Sequence, residues 1–282
     1  MRNHPLPQAT KAAKPFLKWV GGKSRLLSNI IPALPPGRRL IEPFVGGGSV
    51  FLNAAGFEKY VLGDSNKHLI ELYQTVAERP REFMGLSVSM FNDRFRTSER
   101  YLDVRRAFNS EGNVLMRSAQ FLYLNRFAFN GLCRYNRAGQ FNVPYGHPKR
   151  VPRFPAEQIL AFTEQAQRAT FVHGDFTDLM RLAEPGDVVY CDPPYLDRDG
   201  ATSFRAYGPA GFGMDRQCEL ADLARGLAGR DIPVVVSNHD CMTARELYAG
   251  ADIVTFNARR SVSAAAGSRG SVGEILAVFG AR

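Results

Sequence analysis

Residues 40–49 read Leu40-Ile41-Glu42-Pro43-Phe44-Val45-Gly46-Gly47-Gly48-Ser49, an apolar run, a proline and three consecutive glycines. A strand that runs into a glycine turn and then a helix is the layout of a nucleotide-binding turn in an open α/β sheet. Glycine permits positive φ and close backbone approach to a ligand. The spacing is not G-x-G-x-x-G, and no Gly-Lys-Ser/Thr follows to make a P-loop. Alone, an ordinary strand-to-helix connection reads the same way, so its surroundings decide.

Outward from that turn, short apolar runs recur at 60–63, 170–173, 188–191, 234–237, 253–256 and 275–279, and residues 40–44 form the first. Amphipathic helices lie between some of them. One begins after Asn66, a good N-cap, and buries Leu69, Ile70, Tyr73 and Val76. Another carries Leu220, Leu223, Ala224 and Leu227 on one stripe. Such alternation predicts an α/β fold with a parallel sheet. It breaks between Glu71 and Glu164, where Arg94, Arg96, Arg100, Arg105, Arg106 and Arg117 accompany a long apolar helix at 114–129. Residues 130–146 are dense in Gly, Asn, Tyr and Arg, and the centre Arg137-Ala138-Gly139-Gln140 suits a hairpin turn. We read 1–14 as a loose tail, 15–70 with 165–282 as the α/β domain, and 71–164 as an insert.

The 282 residues are 45% hydrophobic and 22% charged, an ordinary globular composition. No apolar run is long enough to cross a bilayer, and the basic, polar start lacks the apolar stretch of a secretion signal. We therefore expect a cytoplasmic protein with no membrane partner. A net charge of +9 favours a polyanionic partner, although simple solubility accounts for it equally well. The cysteines Cys133, Cys191, Cys218 and Cys241 have neither C-x-x-C spacing nor a histidine at zinc-ligand spacing. We expect no metal and no disulfide.

The chemistry concentrates in Val188-Val189-Tyr190-Cys191-Asp192-Pro193-Pro194-Tyr195, a buried strand ending in a carboxylate, two prolines and an aromatic ring. An adenine amine is a poor nucleophile because its lone pair is delocalised into the ring. A carboxylate and a neighbouring carbonyl can each accept one of its N–H bonds, freeing the lone pair and stabilising the charge that builds on nitrogen. Pro193 and Pro194 fix the backbone so that the carbonyl points one way, and Tyr195 offers a face for a planar base. A bare D-P-P-Y also reads as a strand followed by a Pro-Pro turn, with Asp192 capping a helix.

Three further stretches frame it. In Gly63-Asp64-Ser65-Asn66 the acid is placed to bind ribose hydroxyls. In His173-Gly174-Asp175-Phe176 the acid is placed to accept from a ligand adenine, with Phe176 on its ring. Either acid alone is more often a helix cap. Phe16-Leu17-Lys18-Trp19-Val20-Gly21-Gly22-Lys23 holds the chain's tryptophan and a Gly-Gly-Lys turn suited to an anion, and reads equally as a packed N-terminal segment.

These motifs, in this order, resemble the Dam family of DNA adenine-N6 methyltransferases, the alpha-group or D12 class, from Phe16 to about Phe279. The most specific strings are Phe121-Leu122-Tyr123-Leu124-Asn125-Arg126, Asn130-Gly131-Leu132-Cys133-Arg134-Tyr135-Asn136 and Phe141-Asn142-Val143-Pro144-Tyr145-Gly146, with residues 233–240 and Arg259-Arg260-Ser261-Val262-Ser263. The resemblance implies a Rossmann-like fold with a mostly parallel seven-stranded sheet and an inserted helical target-recognition domain with a β-hairpin. It implies S-adenosylmethionine, without a metal, held by Trp19, Lys23, Phe44, Gly46, Gly48, Asp64, Asp175, Phe176 and Asp192. Asp192, Pro193 and Tyr195 would hold a flipped adenine. Lys18, Arg105, Arg126, Phe129, Asn130, Leu132, Arg134, Asn136 and Pro144 would contact double-stranded DNA at GATC, bound by a monomer. Arg134 suits that work, because a guanidinium reads guanine O6 and N7 bidentately.

The chain departs from the family pattern at Phe129, where tyrosine is common, and at Ala265-Ala266-Gly267-Ser268-Arg269, where the family has Asn-Gly-Gly-Thr-Arg. Rival readings are an adenine methyltransferase acting on RNA, a protein-glutamine methyltransferase with a similar acid/amide-P-P-Y element, and a catalytically silent DNA-binding regulator.

Overall fold

The computed structural model describes residues 12–196, 212–259 and 271–280. Within them β1 (Arg39–Glu42), β2 (Lys59–Asp64), β3 (Ala169–His173), β4 (Asp187–Cys191), β5 (Val234–His239), β6 (Asp252–Arg259) and β7 (Ser271–Phe279) form one sheet. Its order is β3-β2-β1-β4-β5-β7-β6. Strands β1 to β5 pair in parallel, and β7 runs antiparallel to both β5 and β6. All seven expected strands are present. β1 stops at Glu42 because Pro43 has no N–H for the ladder; beyond it the Val45 N–H bonds the Gly63 carbonyl at 2.8 Å.

The helices are α1 (Leu27–Ala33), α2 (Lys67–Glu78), α3 (Pro80–Val88), α4 (Ser98–Ser110), α5 (Val114–Phe127), α6 (Ala156–Ala166), α7 (Phe176–Arg181), α8 (Met214–Ala228) and α9 (Met242–Leu247). Successive strand side chains face opposite sides of the sheet, and this sorts the helices into layers. Leu40, Leu62, Val188 and Tyr190 join a core built with α1 to α6. Ile41, Val61, Val189 and Cys191 join one built with α7 to α9. Asn66 caps α2, its side chain accepting the Leu69 N–H, and Leu69, Ile70, Tyr73 and Val76 are buried as their spacing required. On α8, Leu220, Ala224 and Leu227 are buried and Leu223 is half-buried.

Local expectations are met only in part at three places. The helix expected after the glycine turn is a run of turns: Asn53 sends its backbone N–H to the Val50 carbonyl and its side-chain amide to Ser49 O. Helix α5 ends at Phe127, short of 129, because Ala128 is extended and Asn130 and Gly131 have φ of +53° and +65°. The hairpin of 130–146 is reduced to isolated bridges, Tyr135 to Phe141 and Ala128 to Tyr145, closed by Asn136, whose side chain accepts from the N–H groups of Ala138 and Gln140. Of the expected tail, residues 1–11 lie outside the described residues, and Ala13 is tied to Asn53 by paired hydrogen bonds. The departures at 265–269 and the Arg-Arg-Ser motif beyond Arg259 also lie outside them.

Candidate active site

Because β1 to β4 are parallel, their C-terminal ends share one edge, which Glu42 and Asp64 close on β1 and β2 and just beyond which Asp192 follows β4. The strand order reverses between β1 and β4, the topological switch where open α/β sheets bind ligands. There Lys23 Nζ lies 2.6 Å from Asp192 Oδ1, bonds the Gly21 carbonyl at 2.9 Å and sits 4.5 Å above the centre of the Tyr195 ring. Gly21, at φ +77°, supplies the turn that brings the lysine inward. Burial pushes the Asp192 carboxyl above its ordinary value, and the Lys23 charge and hydrogen bond oppose it. Tyr195 donates to Glu274 of β7 at 3.1 Å and meets the His239 ring edge to face.

Glu42 joins this group unannounced by the sequence reading. It is 2% exposed, and its Oε1 has no hydrogen-bond partner. Burial first, and the Asp192 charge second, push its carboxyl well above the usual range. A buried polar atom without a partner carries a penalty, and raising the Glu42 carboxyl toward its neutral form lessens it.

The glycine turn packs beside it. Gly46 has φ +46°, and a Cβ there would stand 2.7 Å from the Trp19 indole nitrogen. Glycine is therefore required by the indole as well as by the backbone. The Gly46 N–H bonds Asp64 Oδ2 at 3.1 Å and the Asn66 N–H bonds Oδ1 at 2.9 Å. Burial nevertheless raises the Asp64 carboxyl to about 6. Each oxygen keeps accepting capacity, which fits a sugar diol.

Asp175 already has partners within the protein. Its carboxylate caps α7 through the Thr177 N–H at 3.0 Å and is forked by Arg216 at 2.6 Å, so both oxygens are engaged within the protein. Phe176, expected to pack on a ligand ring, is buried among protein side chains. It stacks on Phe44 with centroids 5.3 Å apart and carries the Arg216 guanidinium 4.4 Å from its ring centre.

The residues expected on DNA divide into two sets. Asn125 is buried and clamps Lys18 at both N–H and C=O, laying its side chain against Gly131. Phe129 N–H bonds the Pro144 carbonyl at 3.0 Å, and Asn142 N–H bonds the Arg134 carbonyl at 3.1 Å. Lys18, Phe129, Asn130, Leu132, Arg134 and Pro144 therefore lie along one irregular ribbon, with Phe129 half exposed. Arg105 and Arg126 instead turn inward. Arg105 holds the Val143 carbonyl at 3.0 Å, and Arg126, whose pKa burial lowers, reaches Phe16 O and Arg153 O. Asn136 is spent in the turn. Arg134 is itself held by Asn142 Oδ1 at 2.8 Å.

Residues 16–23 join these parts: Lys18 on the ribbon, Trp19 on the glycine turn, Lys23 on Asp192. Cys191 is fully buried with its thiol pKa raised by burial, which suits packing rather than nucleophilic chemistry. The four cysteines are free, and no cluster suited to a metal occurs among the described residues. No described helix is long and apolar enough to cross a membrane.

Comparison with known proteins agrees with this geometry. A family model described as D12 class N6 adenine-specific DNA methyltransferase matches residues 19–262. A DNA adenine methylase of Escherichia coli (strain K12) is 44% identical over 269 residues, covering 95% of this chain and 96% of that protein. A DNA adenine methylase of Vibrio cholerae serotype O1 is 43% identical over 270 residues, covering 95% and 97%. One of Serratia marcescens is 43% identical over 270 residues, covering 95% and 99%.

Proposed function

The chain belongs to the D12 class of N6 adenine-specific DNA methyltransferases, and we propose that it uses S-adenosylmethionine to methylate a flipped adenine within GATC. The observation that carries this reading is Asp192, a half-buried carboxylate at the switch point, paired with Lys23 and followed by Pro193, Pro194 and Tyr195.

The residues present fit the donor. Asp64 retains acceptor capacity for the ribose, Phe44 and Phe176 form an apolar wall for the adenine, and the unpartnered Glu42 oxygen lies near the polar end. Trp19, Lys23, Gly46 and Gly48 complete this proposed pocket. Bound there, S-adenosylmethionine supplies a methyl group on a positively charged sulfur. Asp175, oriented by Arg216, keeps lone pairs with which to accept from the donor adenine.

On the substrate side, Asp192 accepts one N–H of the target amine and the Pro193 carbonyl accepts the other, which draws the nitrogen toward a tetrahedral shape. The Lys23 charge and hydrogen bond oppose the pull of burial on the Asp192 carboxyl, and Tyr195 supplies the stacking face. The base is extruded from the duplex for this. Lys18, Phe129, Asn130, Leu132, Arg134 and Pro144 read the site along their ribbon, Arg105, Arg126 and Asn136 shape that surface, and residues 71–164 serve as the target-recognition unit. We place the enzyme on DNA in the cytoplasm, acting as a monomer.

The test is a tritiated-methyl assay on duplexes with and without GATC and on RNA of the same sequence. The expected result is label in the GATC duplex, none in RNA, and none with folded Asp192→Ala. Label on RNA, or full activity of Asp192→Ala, contradicts the reading.

A further inference from the structure

We propose that Gln217 and Asn238 are positioning residues for the transfer, clamping the Asp192–Leu196 turn from beneath. The inference rests on the reaction proposed above. Pro193 and Pro194 lack N–H groups, so this turn has few backbone donors with which to fix itself. Its polar handles are taken instead by side chains from neighbouring elements. The Pro194 carbonyl accepts from Gln217 Nε2 of α8 at 2.7 Å. The Leu196 N–H donates to Asn238 Oδ1 of β5 at 3.1 Å, and His239 Nδ1 lies 2.7 Å from the Leu196 carbonyl.

The two amides belong to one buried network. Gln217 is 1% exposed and Asn238 is fully buried. Asn238 Nδ2 donates to Tyr248 Oη at 3.0 Å, and Tyr248 donates to Gln217 Oε1 at 3.3 Å. Asn238 Oδ1 also accepts its neighbour's N–H, from His239, at 2.9 Å. Hydrogen bonds enclosed in this way are strengthened by the low local dielectric and tolerate little movement. The network leaves one donor aimed at Pro194 and one acceptor aimed at Leu196, on either side of Tyr195. The carbonyl proposed to hold the target amine, that of Pro193, is one peptide unit from the Gln217 contact. Gln217 also follows Arg216, which rests on Phe176, so the first turn of α8 bears on both the aromatic wall and the catalytic turn.

Gln217→Met keeps the volume and removes the donor, freeing the Pro194 carbonyl. Misplacing reacting groups by about 1 Å costs up to about a hundredfold in rate, and a loss of that order in kcat is expected. KM for the donor and Kd for the duplex should hold steady, and amide exchange at Tyr195 and Leu196 should quicken. Gln217→Leu, which also lacks the donor, should act in the same direction if the methionine variant folds poorly. Tyr60→Phe is the control: it removes a buried hydroxyl bonded to the Ala54 carbonyl at 2.6 Å, at the far end of the sheet, and should lower Tm while sparing kcat. Unchanged kcat in both Gln217 variants, an equal kcat loss in Tyr60→Phe, or a loss confined to KM or Kd overturns the inference. A wild-type protein that transfers no methyl group removes the reaction and this inference together; an active wild type with unaffected Gln217 variants removes the inference alone.

Discussion

Asp64 sits where two backbone N–H groups favour its charge and burial opposes it, and burial wins, raising the carboxyl from 3.8 to about 6. A raised carboxylate pKa means that proton uptake begins at higher pH than in the unfolded chain. Folding therefore loses stability as pH rises through this range, while sugar binding, which uses the ionised acceptor, weakens as pH falls through about 6. Calorimetric titration with S-adenosylmethionine should show this fall, and Asp64→Asn should flatten it while weakening affinity throughout. At this scale the sequence marked Asp64 and Asp192, because acids closing strands beside glycine or proline stand out. It did not mark the Lys23 pairing or the burial of Glu42 with one oxygen unpartnered. Both depend on contacts between distant segments, and Glu42 read only as the last residue of a strand.

At the scale of elements, the sheet holds a second charged pair on the edge opposite the site. Arg39 opens β1 and forks Asp187, which opens β4, with Nε to Oδ1 at 3.0 Å and Nη2 to Oδ2 at 2.5 Å. Asp187 is 1% exposed. Arg39→Ala would leave it uncompensated, costing about 3 kcal/mol or more, measured by urea denaturation, while the activity per folded molecule stays near wild type. The strands were legible because parallel strands buried on both faces read as unbroken apolar runs. Helix α2 was legible through Asn66 and its stripe. The helix after Gly48 was not, because Asn53 captures the Ser49 carbonyl by its side chain, a choice propensity does not reveal. The hairpin was legible at its turn, where Tyr135 and Phe141 bridge antiparallel around 136–140, but not in its length, because residues 128–134 and 142–146 make irregular crossings such as Phe129 to Pro144.

The whole molecule carries a net charge of +9, so its affinity for duplex DNA should fall steadily with salt as released counterions lose their advantage. Arg134 should govern choice rather than overall affinity. Loss of a bidentate guanine contact costs about 1–3 kcal/mol of discrimination, so Arg134→Ala should methylate substituted sites and GATC more nearly alike in competition assays. If selectivity is unchanged, Arg134 does not read the site. Asp192 is proposed to grip an extruded adenine at the switch point of the sheet. The most direct test is sequencing that reads N6-methyladenine in the genome of a methylation-free host expressing wild type or Asp192→Ala. Marks are expected at GATC adenines with wild type and none with the variant. Marks that persist with the variant, or a genome left unmarked by the wild type, would contradict this role.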